Sequence, residues 1–249
     1  MTTHDQLRGM LDRAAVLTDF DGTLAPIVDD PAKAVPGPGA LDVLDALRDR
    51  ARVLGIVSGR PIEHISAQVP TDGLHLAGLY GFERLDDGVR VDGLGAERWL
   101  APVEAARAEL VARVPPGILV EPKRLSLTVH HRSRPDLAAE VRALADEVGT
   151  AHGLVLRPAR AAVELHPPEA PDKGDVVEDL AVGCDAACFV GDDVGDLPAF
   201  DALDRLAAKG LVTIKVAVDS DESAPGLLER ADVVVAGSEG AIAWLRSLL

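Results

Sequence analysis

Leu17-Thr18-Asp19-Phe20-Asp21-Gly22-Thr23-Leu24-Ala25-Pro26 is the stretch on which the fold of this chain turns. It continues an apolar run that begins at Ala14, so a buried strand ends at the first acid and a Gly-containing loop follows. In open α/β sheets ligands collect beyond the carboxyl ends of the strands. Asp19 and Asp21 both face that crevice once the strand has ended, where one carboxylate can attack phosphorus while the other handles protons. The plain alternative is an Asp-Gly turn. Asp-x-Asp-Gly-Thr arises by chance in roughly one chain in a hundred of this length, and its place directly after a strand favours the chemical reading.

Outward from this point the pattern repeats. Leu41, Leu44 and Leu47 fall at helical spacing within Gly39–Asp49. Val53–Val57 reads as a second buried strand closed by Ser58-Gly59-Arg60, Pro61 opens a helix, and Leu74–Gly78 is a third strand. Residues 29–38, rich in Pro, Gly and Asp, read as a loop. Late in the chain, helices at Gly174–Leu180 and Asp196–Leu206 alternate with strands at Ala187–Val190, Val212–Val218 and Asp232–Val235, and a helix runs from Ser238. Buried strands alternating with helices predict an α/β fold, a doubly wound parallel sheet with helices on both faces.

The middle of the chain breaks this rhythm. Trp99, Val103, Ala106, Leu110 and Val114 share one helical face. Leu125–Arg132 alternates like a half-buried strand. Ser133 is placed to cap a helix with Leu137, Val141, Leu144 and Val148 on its apolar face, stopped by Gly149, and Leu154–Leu156 with Ala161–Leu165 reads as a hairpin. The expectation is a small open-faced α/β domain at 98–171 inserted into a larger one made of 1–97 and 172–249.

Three further clusters carry chemistry. Gly191-Asp192-Asp193-Val194-Gly195-Asp196 follows a buried strand, and acids at a strand end suit a hard cation such as Mg²⁺. Ser58-Gly59-Arg60 offers a hydroxyl and free N–H groups at a helix start, a cradle for phosphate. Lys173 opens a predicted helix and can balance charge near the site. The net charge of −16 opposes nucleic-acid binding, so no nucleic-acid partner is expected, and any phosphate site must be locally positive or hold a metal. Cys184 and Cys188 read as two small core residues rather than a metal or redox pair. With no signal-like segment and no membrane-length apolar run, a cytoplasmic protein with no membrane partner is expected.

Together the four clusters resemble, in chain order, the four motifs of the haloacid dehalogenase superfamily. The resemblance implies a Rossmann-like core, Asp19 as nucleophile, Asp21 as general acid/base, and Ser58 and Lys173 as ligands of the transferring phosphoryl group. It implies Mg²⁺ held by Asp19, the Asp21 main-chain carbonyl and Asp192, with Asp193 and Asp196 in support. Gly22, Thr23 and Arg60 join the expected substrate-binding set. The longer string 17–26, with Ser58-Gly59-Arg60 and the insert between the second and third motifs, resembles the trehalose-6-phosphate phosphatase branch and implies a cap of the C2B type.

The insert carries the substrate argument. Lys123, Arg124, His130, His131, Arg132 and Arg134 cluster with no acid among them in an otherwise acidic chain. Alternation puts Ser126, Thr128, His130 and Arg132 on one sheet face and Leu125, Leu127 and Val129 on the other, with Glu164 and His166 opposite Val163 and Leu165. A polar face suits hydroxyl-rich sugars; a solvent-washed outer face is the alternative. Residues 121–132, EPKRLSLTVHHR, resemble the cap motif of the same branch. That carries Glu121, Lys123, Ser126, His130 and Arg132 over as sugar-binding residues, and Glu164 matches the next cap motif. The chain departs from the branch at Tyr80, where a His is usual, at His166, where an Arg is usual, and at Gly195 and Leu197, where Thr and Glu usually stand beside Asp196. The resemblance implies hydrolysis of trehalose 6-phosphate; a monomer is expected, with the insert closing over the core to bring Lys123 and Arg132 to a substrate anchored at Asp19. Another phosphorylated disaccharide or trehalose analogue, a phosphosugar mutase and a non-catalytic sugar-phosphate sensor are the alternatives.

Overall fold

The computed structural model of the chain describes residues 2–28, 33–91, 96–159, 161–220 and 225–249. It divides into two compact units, Met1–Val91 with Pro171–Leu249, and Asp92–Ala170. Of the loop expected at 29–38, residues 29–32 lie outside the described residues.

The first segment of the large unit supplies α1 (Thr3–Arg8), β1 (Ala14–Thr18), α2 (Ala40–Arg48), β2 (Val53–Val57), α3 (Ile62–Ser66), β3 (His75–Gly78), β4 (Glu83–Asp86) and β5 (Val89–Arg90). The small unit follows with α4 (Leu100–Arg113), β6 (Leu119–Lys123), β7 (Ser126–His130), α5 (Ala138–Ala151), β8 (Val155–Ala159) and β9 (Ala162–His166). The chain returns to the large unit with α6 (Lys173–Leu180), β10 (Ala186–Gly191), α7 (Leu197–Ala208), β11 (Val212–Asp219), α8 (Pro225–Arg230), β12 (Val233–Ala236) and α9 (Gly237–Ser247).

The large unit is an eight-stranded sheet in the order β12-β11-β10-β1-β2-β3-β4-β5. Its strands are parallel except for the antiparallel pairings of β3 with β4 and β4 with β5, a hairpin that the alternation of strands and helices did not predict. From β1 the order runs outward in both directions, so the ends of β1, β2 and β10 border a topological switch point. Residues 14–17 of β1 are completely buried, because both faces of the sheet are covered. Val16 packs on one side with Leu44, Leu47 and Ile242, and Leu17 on the other with Phe189 and Phe200. Leu41 does not share the buried face expected for it: it is 42% exposed, and Ala40, Val43, Leu44 and Leu47 form the face of α2. Cys188 and Cys184 belong to the cores on opposite faces of the sheet, both free and buried, and burial pushes the Cys188 thiol up to about 12.

The small unit is a four-stranded antiparallel sheet in the order β6-β7-β9-β8, with one face packed on α4 and α5 through Val103, Leu110, Val129, Val141, Val148 and Leu165. Four expectations need correction here. β7 stops at His130, where His131 N–H bonds the Ala161 carbonyl and Arg134 N–H turns back to His131, so Arg132 sits in an exposed turn and not on the strand face. Ser133 does not cap α5; its hydroxyl donates to the Gly117 carbonyl at 2.7 Å, and a 3-10 turn at Pro135–Leu137 leads into the helix. Gly149 does not stop α5, which runs to Ala151; a Cβ there would lie 2.7 Å from Leu165, so this glycine serves packing. The hairpin arm read as Leu154–Leu156 extends to Ala159 despite Pro158, because β8 is an edge strand.

Candidate functional site

β1 ends where Asp19 N–H donates to the Val190 carbonyl of β10 at 2.8 Å, which places Asp19 between two strand ends. Its side chain is almost entirely buried, and Oδ1 lies 2.9 Å from Lys173 Nζ. Gly22 turns the chain with φ +71°; a Cβ there would meet Asp192 Oδ2 at 2.0 Å, so only glycine lets this loop approach the acidic end of β10. The Thr23 hydroxyl beside it is fully buried and finds no partner among the described residues.

Beyond β10, Asp193 and Asp196 build the acidic loop by binding its backbone. Asp193 Oδ1 accepts from Gly195 N–H at 2.7 Å. Asp196 Oδ2 accepts from Asp192 N–H at 2.9 Å and Asp193 N–H at 3.1 Å, and its Oδ1 takes Lys173 Nζ at 2.6 Å. Asp196 therefore orders the loop with one oxygen and anchors the lysine with the other. Asp172 caps α6 by accepting from Asp175 N–H, which fixes Lys173 at the first helical position, 3% exposed, between Asp19 and Asp196.

At the end of β2, Ser58 is buried, its N–H donates to the Ala77 carbonyl, and its hydroxyl accepts from Arg60 N–H. The helix start behind it does not have the free N–H groups expected from the sequence: Ile62 N–H is taken by Glu83 Oε2 at 2.9 Å, while Glu83 Oε1 accepts from Arg90. Arg60 grips both oxygens of Asp21, at 2.5 Å and 2.6 Å, and its Nη1 lies 2.7 Å from His64 Nε2. Leu79 and Tyr80 adopt φ of 48° and 60°, at a cost of about 1 kcal/mol each, and tie down this loop: Leu79 N–H bonds Arg60 O and Tyr80 N–H bonds Ser58 O. The Tyr80 ring lies against Gly59, where a Cβ would be 2.7 Å from the phenol oxygen.

Asp19, Asp192 and Asp196 offer carboxylate oxygens within 4.8 Å of one another, all buried. Burial and then the neighbouring Asp19, Asp196 and Asp193 push Asp192 up to about 9. Burial likewise raises Asp19 well above its ordinary value, opposed by Lys173. Burial alone would lower Lys173, but Asp19, Asp196 and Asp193 overcome it and hold the ammonium well above its usual range. One ammonium among these acids leaves a deficit of positive charge. All-oxygen donors, close spacing and that deficit fit a hard divalent cation, which Asp19 and Asp192 would hold.

In the small unit the register sets a polar row across the sheet: Glu121 faces Thr128, Thr128 faces Glu164, and Glu164 faces Arg157. Ser126 donates to Glu164 Oε1 at 2.6 Å, and His130 Nε2 meets Glu121 Oε2 at 2.7 Å. Lys123 pairs with Ser126 at the end of the β6–β7 hairpin. Five of the six expected sugar-binding residues thus share one face, and Arg132 lies beyond it. Sequence reasoning missed Glu83 as a helix cap and Arg157 as a member of the row; it placed Thr128 on this face without naming it as a contact. Period-two alternation carried through Pro158 would have found Arg157.

The switch point opens onto acidic side chains from both adjoining strands, Asp19 after β1 and Asp192 after β10, and this is the layout of the haloacid dehalogenase-like class. A family model described as trehalose-phosphatase matches residues 17–230. The chain belongs to the trehalose-phosphatase family. A trehalose-phosphate phosphatase of Mycobacterium marinum is 36% identical over 202 residues, 77% of this chain and 52% of that protein. A Mycobacterium tuberculosis protein described as an uncharacterized glycosyl hydrolase is 36% identical over 231 residues, 85% of this chain and 17% of its own length. The chain spans about half the length of the curated phosphatases it matches. Among solved structures, the C-terminal domain of C. albicans trehalose-6-phosphate phosphatase has a TM-score of 0.79 at 24% identity, covering 99% of this chain and 94% of that one. At that identity the likeness is one of fold.

Proposed function

We propose that the chain is a Mg²⁺-dependent phosphatase that hydrolyses trehalose 6-phosphate to trehalose and inorganic phosphate through an aspartyl-phosphate on Asp19. The observation that carries this reading is Asp19 itself: buried, held through Oδ1 by Lys173 and grouped with Asp192. Lys173 orients the nucleophile and offsets the repulsion between a carboxylate and a phosphate dianion. Mg²⁺ bound by Asp19, Asp192 and the Asp21 carbonyl would add positive charge to the phosphoryl group. The Ser58 hydroxyl binds a phosphoryl oxygen. As the Asp19–phosphorus bond forms and the bond from phosphorus to the sugar oxygen breaks, Asp21 gives that oxygen a proton. It later takes one from the water that cleaves the aspartyl-phosphate. Arg60 holds both Asp21 oxygens, so it has to release one before Asp21 can do either.

The sugar is read by Glu121, Lys123, Ser126, His130 and Glu164, with Arg132 reaching in from its turn; the shared polar face supports this assignment. A related phosphorylated disaccharide or trehalose analogue is the second reading, favoured by Tyr80 against Gly59 and by His166 at the end of β9. The protein is taken to work in the cytoplasm as a monomer, without nucleic acid; its free buried cysteines agree with a reducing compartment. Among the described residues no helix is long and apolar enough to cross a membrane.

Phosphate release from a panel of phosphorylated mono- and disaccharides, with Mg²⁺ present and then chelated, tests the reading. Trehalose 6-phosphate is expected to be the best substrate, with turnover lost on chelation. Asp19→Asn is expected to cut kcat by at least roughly a thousandfold while leaving binding nearly intact. Turnover surviving in Asp19→Asn overturns the nucleophile assignment.

A further inference from the structure

Two features of the small unit's polar face have so far been given no contact with the sugar. The Thr128 hydroxyl is buried, 3% exposed, and its oxygen has no hydrogen-bond partner among the described residues. Such an orphan is expensive to keep, since a valine of the same shape would fill the space without a polar atom to satisfy. Thr128 stands at the centre of the row, between Glu121 and Glu164 on the neighbouring strands.

The second feature lies on β8. Arg157 faces Glu164 across the β8–β9 pair and also acts on His166, two residues further along β9. His166 Nδ1 is 2.8 Å from the Pro167 carbonyl, which only accepts, so Nδ1 carries the hydrogen. Burial, then Arg157, hold His166 below its ordinary value, which keeps it neutral and leaves Nε2 an acceptor. The face therefore offers a cationic donor at 157, an acceptor at 166 and an unused hydroxyl at 128. A sugar hydroxyl both donates and accepts, and a donor beside an acceptor is what recognises one.

We propose that Thr128, Arg157 and His166 form a further set of hydroxyl-reading contacts on the polar face of the small unit, by which this chain selects its phosphorylated sugar. The proposal rests on the reading of the chain as a sugar-phosphate phosphatase. Thr128 supplies the contact at the centre of the face, and Arg157 with His166 grip a hydroxyl nearer the β8 edge.

The test compares Thr128→Val, Arg157→Leu and Arg157→Lys with the unaltered chain. Each is assayed on the best sugar phosphate of the panel and on p-nitrophenyl phosphate, which has no sugar. Thr128→Val and Arg157→Leu are expected to lower the ratio of kcat/KM for the sugar phosphate to that for the aryl phosphate by about tenfold each, through KM. Arg157→Lys should recover part of the loss, and Thr128→Val should melt no lower than the parent, since it removes an unsatisfied group. If the parent hydrolyses a sugar phosphate and the ratio stays constant across the variants, this proposal alone falls. If the parent hydrolyses no sugar phosphate of the panel, the function it rests on falls and takes the proposal with it. A drop in ratio accompanied by an equal drop in melting temperature for every variant means a structural role and overturns the proposal.

Discussion

Gly22 shows how narrowly single residues are constrained at the switch point. With φ +71° and Asp192 Oδ2 only 2.0 Å from where a Cβ would sit, Gly22→Ala has to push the acidic loop away or unwind its own turn. We expect a loss of about a hundredfold in kcat/KM with weaker Mg²⁺ binding, against a small change in melting temperature. Steady-state kinetics across a Mg²⁺ titration check this; unchanged Mg²⁺ dependence would mean that the loop absorbs the methyl group. Asp19, Asp192 and Lys173 were legible from one chain because each sits at a strand end or helix start that apolar runs announce. The grip of Arg60 on Asp21 was not legible, since nothing in the spacing of residues 21 and 60 says that they meet rather than both turning to substrate.

The same division holds for whole elements. β1, β2 and β10 lie within continuous apolar runs and were read within a residue or two, because strands buried on both faces leave no alternation to misjudge. β6 was missed and β8 cut short for one reason: Pro122 and Pro158 sit in them, and proline argues against a strand unless that strand is an edge, as both of these are. The hairpin turns added to the difficulty, since Arg124 and Ala161 take positive φ where glycine or asparagine would have marked the turn. Glu83 is the element-scale test. It caps α3 through Ile62 N–H and binds Arg90 of β5, which also reaches Glu63, so Glu83→Ala leaves a buried N–H without its acceptor and takes one of the carboxylates from Arg90. We expect a loss of about 2 kcal/mol in a urea titration, with KM rising because α3 backs the Ser58–Arg60 loop. A loss below half that size would mean that water replaces the cap.

At the scale of the molecule, the acidic cluster links ionisation to folding. Asp192 moves from 3.8 to about 9 in the folded chain, so between those values the ion-free fold holds a proton that the unfolded chain has released. Stability of the ion-free protein therefore falls as pH rises through that window, and below it the two states are protonated alike. A divalent cation replaces the proton, so Mg²⁺ should flatten the slope and release protons as it binds. Urea midpoints at about pH 5.5 and about pH 8.5, in chelator and in Mg²⁺, check the sign; a midpoint in chelator that rises with pH would refute it. His166 contributes the opposite slope. Held below 6.5 when folded, it supports the fold above that value, and the support is lost as pH falls through the folded pKa. Relative to the unaltered chain, His166→Gln should gain in urea midpoint as pH falls below 6.5, because it removes a group that the fold holds back from protonation.

β1 and β10 are sheet neighbours although some 170 residues separate Ala14 from its partner Ala186 in the sequence. A ribosome that has delivered the chain only to residue 91 has exposed β1 with one entire edge unpaired, an apolar strand ready to accept any other. A nascent chain of this kind should need a chaperone until its last third emerges. The isolated fragment ending at residue 91 is expected to scatter light within minutes of dilution from denaturant, where the full chain stays clear.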